Sequence, residues 1–330
     1  MSSARGRMYV VPLVVACTAL GIPVGARGQF PPDSFTNLKV LPRTIHRDTL
    51  VRMMAGFTRA LGVRCSYCHV GEENRPLETY NFASDDKLPK RQARTMLEMV
   101  GRINGTHLAS LDERADPPVR VECFTCHRGI RRPRALQEML TLAYQAAGAD
   151  SAVSAYHGLR SRYYGRAIYD FTEVALADLA DIAMRAGRAA DAERFHELNV
   201  QHNPASQFAR LNLVRVALTR AFAELGADSG AVRYAALKAR FGGTAFPEPL
   251  LNDVGYAVLR RNVSVAVRVF RLNVSEYPQA SNVYDSLGEA LAANGEIAEA
   301  IRNYERSLQL DPGNTNAREK LTELRRRRPR

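Results

Sequence analysis

Cysteine is scarce in this chain: there are five in 330 residues, and Cys17 lies in a leader-like segment, so four remain for the body of the protein. Those four, Cys65, Cys68, Cys123 and Cys126, fall in two short motifs, which leaves no thiol for a disulfide framework. A long unbroken apolar run is also missing. Met8 to Val24 is apolar but interrupted by Pro12, Gly21 and Pro23, which argues against a membrane span. With Arg5 and Arg7 ahead of it and the small residues Gly25, Ala26 and Gly28 behind, it reads instead as a secretory signal over residues 1–28. Val14-Val15-Ala16-Cys17 resembles a bacterial lipoprotein processing box, so Cys17 is an alternative point of lipid anchorage, although the apolar residues that follow it favour cleavage near Ala26 or Gly28. Acid is in deficit, with 34 Asp and Glu against 46 Lys and Arg, a net charge of +12 that falls to +9 without residues 1–28. On an exported chain that surplus attracts acidic partners and anionic surfaces and gives no reason to expect nucleic acid. At 46% hydrophobic and 24% charged residues the composition is that of ordinary globular protein, long enough for two or three domains.

The four cysteines are spaced for one chemistry. Cys65-Ser66-Tyr67-Cys68-His69 and Cys123-Phe124-Thr125-Cys126-His127 both spell Cys-x-x-Cys-His, the attachment sequence of c-type haem. Two thiols three positions apart each form a thioether to one porphyrin, and the adjacent imidazole reaches the iron. A zinc site from two Cys-x-x-Cys knuckles, or redox-active dithiols, would need the cysteines but not a histidine directly after both pairs. Two covalently attached haem c groups are therefore expected, on the exported, periplasmic side of the membrane.

Each iron also needs a second axial ligand. At 100° per residue Leu50, Phe57 and Leu61 fall on one helical stripe, and Met54 lies slightly nearer its centre than Met53 does on the other side. Met54 is the better candidate for the first haem, with Met53 as its alternative. Before the second motif Ala93, Met96, Leu97, Val100 and Ile103 share a face that includes Met96 and leaves Met99 beyond its edge. Met96 leads there, Met99 is the alternative, and His107, placed after Gly105 in an expected loop, would serve a haem with two histidines. Core packing is the competing use of all four methionines. His46, His157, His196 and His202 have no motif around them.

Beyond Arg134 there is neither cysteine nor any comparable ligand cluster. Instead the chain repeats: Ala266, Phe270 and Pro278 recur 34 residues later as Ala300, Tyr304 and Pro312, and Tyr284, Leu287, Gly288 and Leu291 mark the first helix of the last copy. That period is the tetratricopeptide signature, with Leu179, Gly187, Ala192 and Pro204 as an earlier copy and Thr315 to Arg328 as a basic capping helix. The expected fold is mainly α: a dihaem cytochrome domain over residues 29–135, a helical linker over 136–165, and a repeat solenoid over 166–330.

The residues around the motifs also resemble a known family. Phe35 to Pro42, Met54 with Phe57, Leu61 through Val70, Ala93 to Met99, Ile103-Asn104 and Cys123 through Gly129 are similar to the cytochrome c subunit of photosynthetic reaction centres. The resemblance implies Met54 opposite His69 and Met96 opposite His127, and haems that return electrons to a photo-oxidised pigment. Family members carry four haems in two similar halves, whereas this chain has one half followed by repeats. The stretch between Ile103 and Cys123 is also longer than the family's, which weakens any carry-over to His107.

The function expected from sequence is an electron carrier rather than an enzyme, exchanging electrons with donor and acceptor proteins that include a membrane redox complex or reaction centre. Its repeats would hold a protein or peptide on a concave surface. Lys87, Lys90, Arg91, Arg94, Arg128, Arg131 and Arg132 flank the haem segments and are candidates for a basic docking face. The rivals are a dihaem peroxidase-like enzyme with one open iron and a repeat-based assembly factor with structural haems.

Overall fold

The computed structural model describes residue 32, residues 34–112 and residues 115–327. The signal segment with Cys17, and Arg328 of the basic tail, lie outside the described residues. The chain divides into two compact units, Met1–Pro133 and Arg134–Arg330.

The first unit is built on two full helices, α1 (Arg47–Leu61) and α3 (Leu88–Arg102), and two single-turn helices that are the motifs themselves, α2 (Cys65–Cys68) and α4 (Cys123–His127). α1 opens at His46, whose Nδ1 accepts the Asp48 N–H at 3.3 Å, and Asp48 opposes the positive end of the helix dipole. It closes at Gly62 in the left-handed conformation, φ 63°. There the chain meets the exit of the second motif: the Gly129 N–H donates to the Ala60 carbonyl at 2.8 Å, and a Cβ on Gly62 would run into the Gly129 carbonyl oxygen. α4 thus packs on α1, while α2 packs on α3. α3 starts with Pro89 in its first turn and runs on into a π-helical turn, Ile103–His107, where the sequence suggested a loop. Asn104 explains the continuation, since its amide brackets Val121 through two 2.8 Å hydrogen bonds.

The second unit is entirely helical among its described residues: α5 (Leu136–Tyr163), α6 (Glu173–Arg185), α7 (Ala189–His202), α8 (Gln207–Arg220), α9 (Ala227–Phe241), α10 (Glu248–Leu259), α11 (Val263–Glu276), α12 (Ser281–Ala293), α13 (Ile297–Leu310) and α14 (Thr315–Arg327). From α6 the helices stack as consecutive pairs, with α14 as the cap. Two of the pairs close over a glycine: the Phe270 ring of α11 lies where a Cβ on Gly255 of α10 would come within 2.5 Å, and Tyr304 of α13 faces Gly288 of α12 at 3.1 Å by the same measure. Buried Asn199 and Asn273 repeat a second device, donating to the carbonyls of Glu173 and Glu248 at the start of the preceding helix, at 2.8 and 3.3 Å. The segment expected as a helical linker is α5, broken at Ala147 and Gly148. It buries Leu136, Leu140, Tyr144, Ala152 and Tyr156 in one core with residues of α6 and α7.

Candidate cofactor site

A cavity of about 520 Å³ opens in the first unit, within the size range of small-molecule and cofactor sites. Leu50, Met54, Phe57 and Leu61 of α1 line it, as do Cys65, Cys68 and His69 of the first motif and Ala93, Arg94 and Leu97 of α3. The segment from Ser34 to Leu41 and the loop from Tyr80 to Ala83 complete the wall. The amphipathic stripe of α1 is therefore the cavity wall itself. Met54 stands on it with both thiols and the histidine of the motif, and Met53 is not among the lining residues.

His69 is suited to bind a metal. Its ring sits edge-on against Phe82 with centroids 4.8 Å apart, and its Nδ1 is buried without a hydrogen-bond partner. Burial drives the imidazole down to about 4, and the Lys90 charge pushes the same way, so the ring is neutral and its lone pair available near neutral pH. The thiols argue against dithiol redox chemistry: burial raises Cys68 and Cys123, whereas a reactive dithiol needs a lowered thiol. Among the described residues no group of three or more His, Cys, Asp or Glu side chains is placed to hold a metal ion, so the two cysteine pairs do not converge as zinc knuckles would. Apolar walls, paired thiols and an orphaned imidazole nitrogen fit a covalently held haem.

The second motif is more open. Cys126 is exposed, Cys123 half-buried, and Phe124 between them largely exposed. The His127 Nδ1 lies 3.0 Å from the Ile130 carbonyl oxygen. A carbonyl only accepts, so Nδ1 carries the proton and Nε2 the lone pair, the tautomer of an oriented metal ligand. Met96 and Met99 are 41% and 43% exposed and do not line the first cavity, because the face of α3 that does is Lys90, Ala93, Arg94 and Leu97. His107 is exposed at the end of the π-helical turn. His46 caps α1, and His196 is a buried packing residue of the second unit.

Four of the seven basic residues proposed for a docking face are spent within the unit. Lys87 donates to the Ser66 carbonyl, Lys90 to the carbonyls of Phe82, Ala83 and Ser84, Arg91 to those of Asp85 and Asp86, and Arg94 to the Asp85 carboxylate. Arg131 lies over the Tyr67 ring at 5.5 Å. No motif or periodicity singles out Asp85, which holds Arg94, Lys39 and Lys90 together, or Tyr80. The Tyr80 ring covers Gly71 and its hydroxyl donates to the Glu72 carbonyl at 2.7 Å.

Residues 18–155 match the family model described as photosynthetic reaction centre cytochrome C subunit, and residues 281–314 match the tetratricopeptide repeat. The chain is similar to the photosynthetic reaction center cytochrome c subunit of Roseobacter denitrificans, 34% identical over 114 residues, which are 34% of this chain and 28% of that one. It is also similar to the subunit of the same name from Rubrivivax gelatinosus, 33% identical over 105 residues, 30% of this chain and 24% of the relative. The match thus spans about a quarter of the length of these curated relatives. Among solved structures, MamA from Desulfovibrio magneticus RS-1 is 15% identical, covering 48% of this chain and 86% of that one with a TM-score of 0.31, a likeness too slight to carry an argument. The fold is mainly α, a reaction-centre-cytochrome-like segment joined to tetratricopeptide repeats.

Proposed function

We propose that this chain is an exported dihaem c-type cytochrome that relays electrons between protein partners, with its repeat unit docking one of them. The observation that carries the reading is the cavity in which Met54, Cys65, Cys68 and His69 meet, in a unit with a second complete Cys-x-x-Cys-His motif. Haem, when bound, supplies a reversible one-electron couple. The protein's part is to fix it and set its surroundings. Cys65 and Cys68 would tether one group and Cys123 and Cys126 the other, with His69 and His127 as one axial ligand of each. Met54 and Met96 would be the opposite ligands, with Met53, Met99 and His107 as the alternatives. A thioether sulfur favours the reduced metal, and a filled coordination shell keeps peroxide and oxygen away from the iron.

The similarity to photosynthetic reaction center cytochrome c subunits supports a photosynthetic reaction centre as one partner, and the tetratricopeptide match supports a protein or peptide on the repeats. Residues 1–28 act as the export signal in this reading, with Cys17 as the lipid-anchored alternative. Among the described residues no helix is long and apolar enough to cross a membrane. The test is a spectroelectrochemical titration of the full chain made in an export-competent host. The reading expects two reversible one-electron steps per chain and no catalytic turnover of peroxide with a reducing donor. Sustained peroxide turnover would replace it with the peroxidase-like alternative, in which one of the two irons lacks a sixth ligand.

A further inference from the structure

The first cavity carries more positive charge than its own walls use. Asp85 gathers three cations: Arg94 donates from Nη2 to Oδ1 at 2.7 Å, Lys39 from Nζ to Oδ2 at 2.7 Å, and the Lys90 Nζ lies 3.2 Å from Oδ1. Asn37 donates to the same Oδ1 at 2.9 Å, which ties the segment before α1 to the loop ahead of α3. All three cations line the cavity and Asp85 does not, so the carboxylate holds them from behind. Three cations against one carboxylate leave a surplus of two positive charges at the cavity wall.

Counting donors shows where that surplus can be used. The Lys90 ammonium is 11% exposed and already committed to the carbonyls of Phe82, Ala83 and Ser84 as well as to Asp85. Arg94 is 17% exposed and, among the described residues, spends only Nη2, on Asp85 and on the Asn37 carbonyl. The remaining N–H groups of its guanidinium fork are those a carboxylate takes in pairs. Lys39, 59% exposed, gives one donor to Asp85 and keeps the rest.

We infer that Arg94 and Lys39 form a carboxylate-binding rim that receives the two propionates of the tetrapyrrole seated in this cavity, and that Asp85 is the residue that positions both. The inference rests on the haem reading above. It adds an electrostatic consequence: the rim's positive charge favours the reduced iron, and Asp85 partly offsets it.

The test uses the full chain from a haem-attaching host, with haem counted by intact mass and each haem's midpoint measured by redox titration. Arg94→Gln and Lys39→Gln should leave the haem count unchanged, since the thioether cysteines are untouched. Each should lower the equilibrium constant for reducing one haem by roughly fivefold while the other haem stays put. Arg94→Lys should restore most of the loss, and Asp85→Asn should shift the same haem upward. A merely structural role for the cluster predicts that all these variants loosen the pocket and shift the haem the same way. The rim is therefore overturned if Arg94→Gln matches wild type, if Arg94→Lys falls as far as Arg94→Gln, or if Asp85→Asn falls with them. A wild-type chain with no covalent haem would sink both readings, and the mass alone would show that the failure began with the haem.

Discussion

Gly62→Ala should unlatch the helix that carries Met54 from the second motif. Gly62 closes α1 with φ 63°, and the space its Cβ would enter is held by the backbone carbonyl of Gly129, one peptide from the hydrogen bond that joins Gly129 to Ala60. A left-handed alanine costs about 1–2 kcal/mol. Displacing a backbone carbonyl, which unlike a flexible side-chain end cannot swing aside, adds about 1–3 kcal/mol. A total of about 2–5 kcal/mol is a large share of a domain's stability of roughly 5–15 kcal/mol. With a urea slope of about 2 kcal/mol per molar, in the middle of the usual range, the midpoint of the first unit should fall by roughly 1–2.5 M. The assay is urea unfolding of the full chain followed at the haem absorption, which reports the first unit alone and avoids treating a two-unit protein as one transition. Gly56→Ala is the matched control, because that Cβ would meet nothing within 4 Å on the same helix and should be neutral or stabilising by up to about 1 kcal/mol. Equal midpoints for wild type and Gly62→Ala, or an equal fall for Gly56→Ala, would refute the reasoning.

Met54→Ala should abolish the sulfur-to-iron charge-transfer absorption of one haem, and Met53→Ala should leave it intact; the reverse result in the ferric spectrum would move the ligand to Met53. Burial holds His196 down to about 4, so the folded second unit binds fewer protons than the unfolded chain between about pH 6.5 and 4. Its stability should be complete above about pH 6.5 and fall by about 3 kcal/mol as pH drops to 4, a slope that His196→Gln removes in denaturant titrations across pH. Gly255→Ala, with Phe270 at 2.5 Å from the new Cβ, should lower the melting temperature of the repeats more than Gly288→Ala, where Tyr304 lies at 3.1 Å; calorimetry showing the opposite order would contradict the packing assigned to these pairs.

What the sequence made legible was local or periodic. Five contiguous residues carry each haem motif, and the 34-residue recurrence of Ala, aromatic and Pro reports a helix pair that packs the same way each time. The stripe of Leu50, Phe57 and Leu61 could be read because one helical face does one job. The Asp85 cluster could not, because Asn37 and Lys39 reach it from 48 and 46 residues away, and a single carboxylate beside Asp86 has no period. The same contacts withdraw Lys90 and Arg94 from the basic face that composition suggested. Periodicity also grouped Met96 with Ala93 and Leu97, but it cannot say which arc of a face meets the cavity. α5 escaped recognition as a core helix because an unbroken helix would put Tyr156 nearly opposite Leu136, and only the break at Ala147 and Gly148 brings both into one core.

The central claim is covalent haem on both motifs. Its most direct measurement is the intact mass of the mature protein from an export-competent, haem-attaching host, alongside a variant with Cys123 and Cys126 both changed to alanine. Two haem increments are expected on the wild type and one on the variant, with a mature N-terminus beyond the signal or a lipid on Cys17. A folded wild-type chain that carries no haem would contradict it.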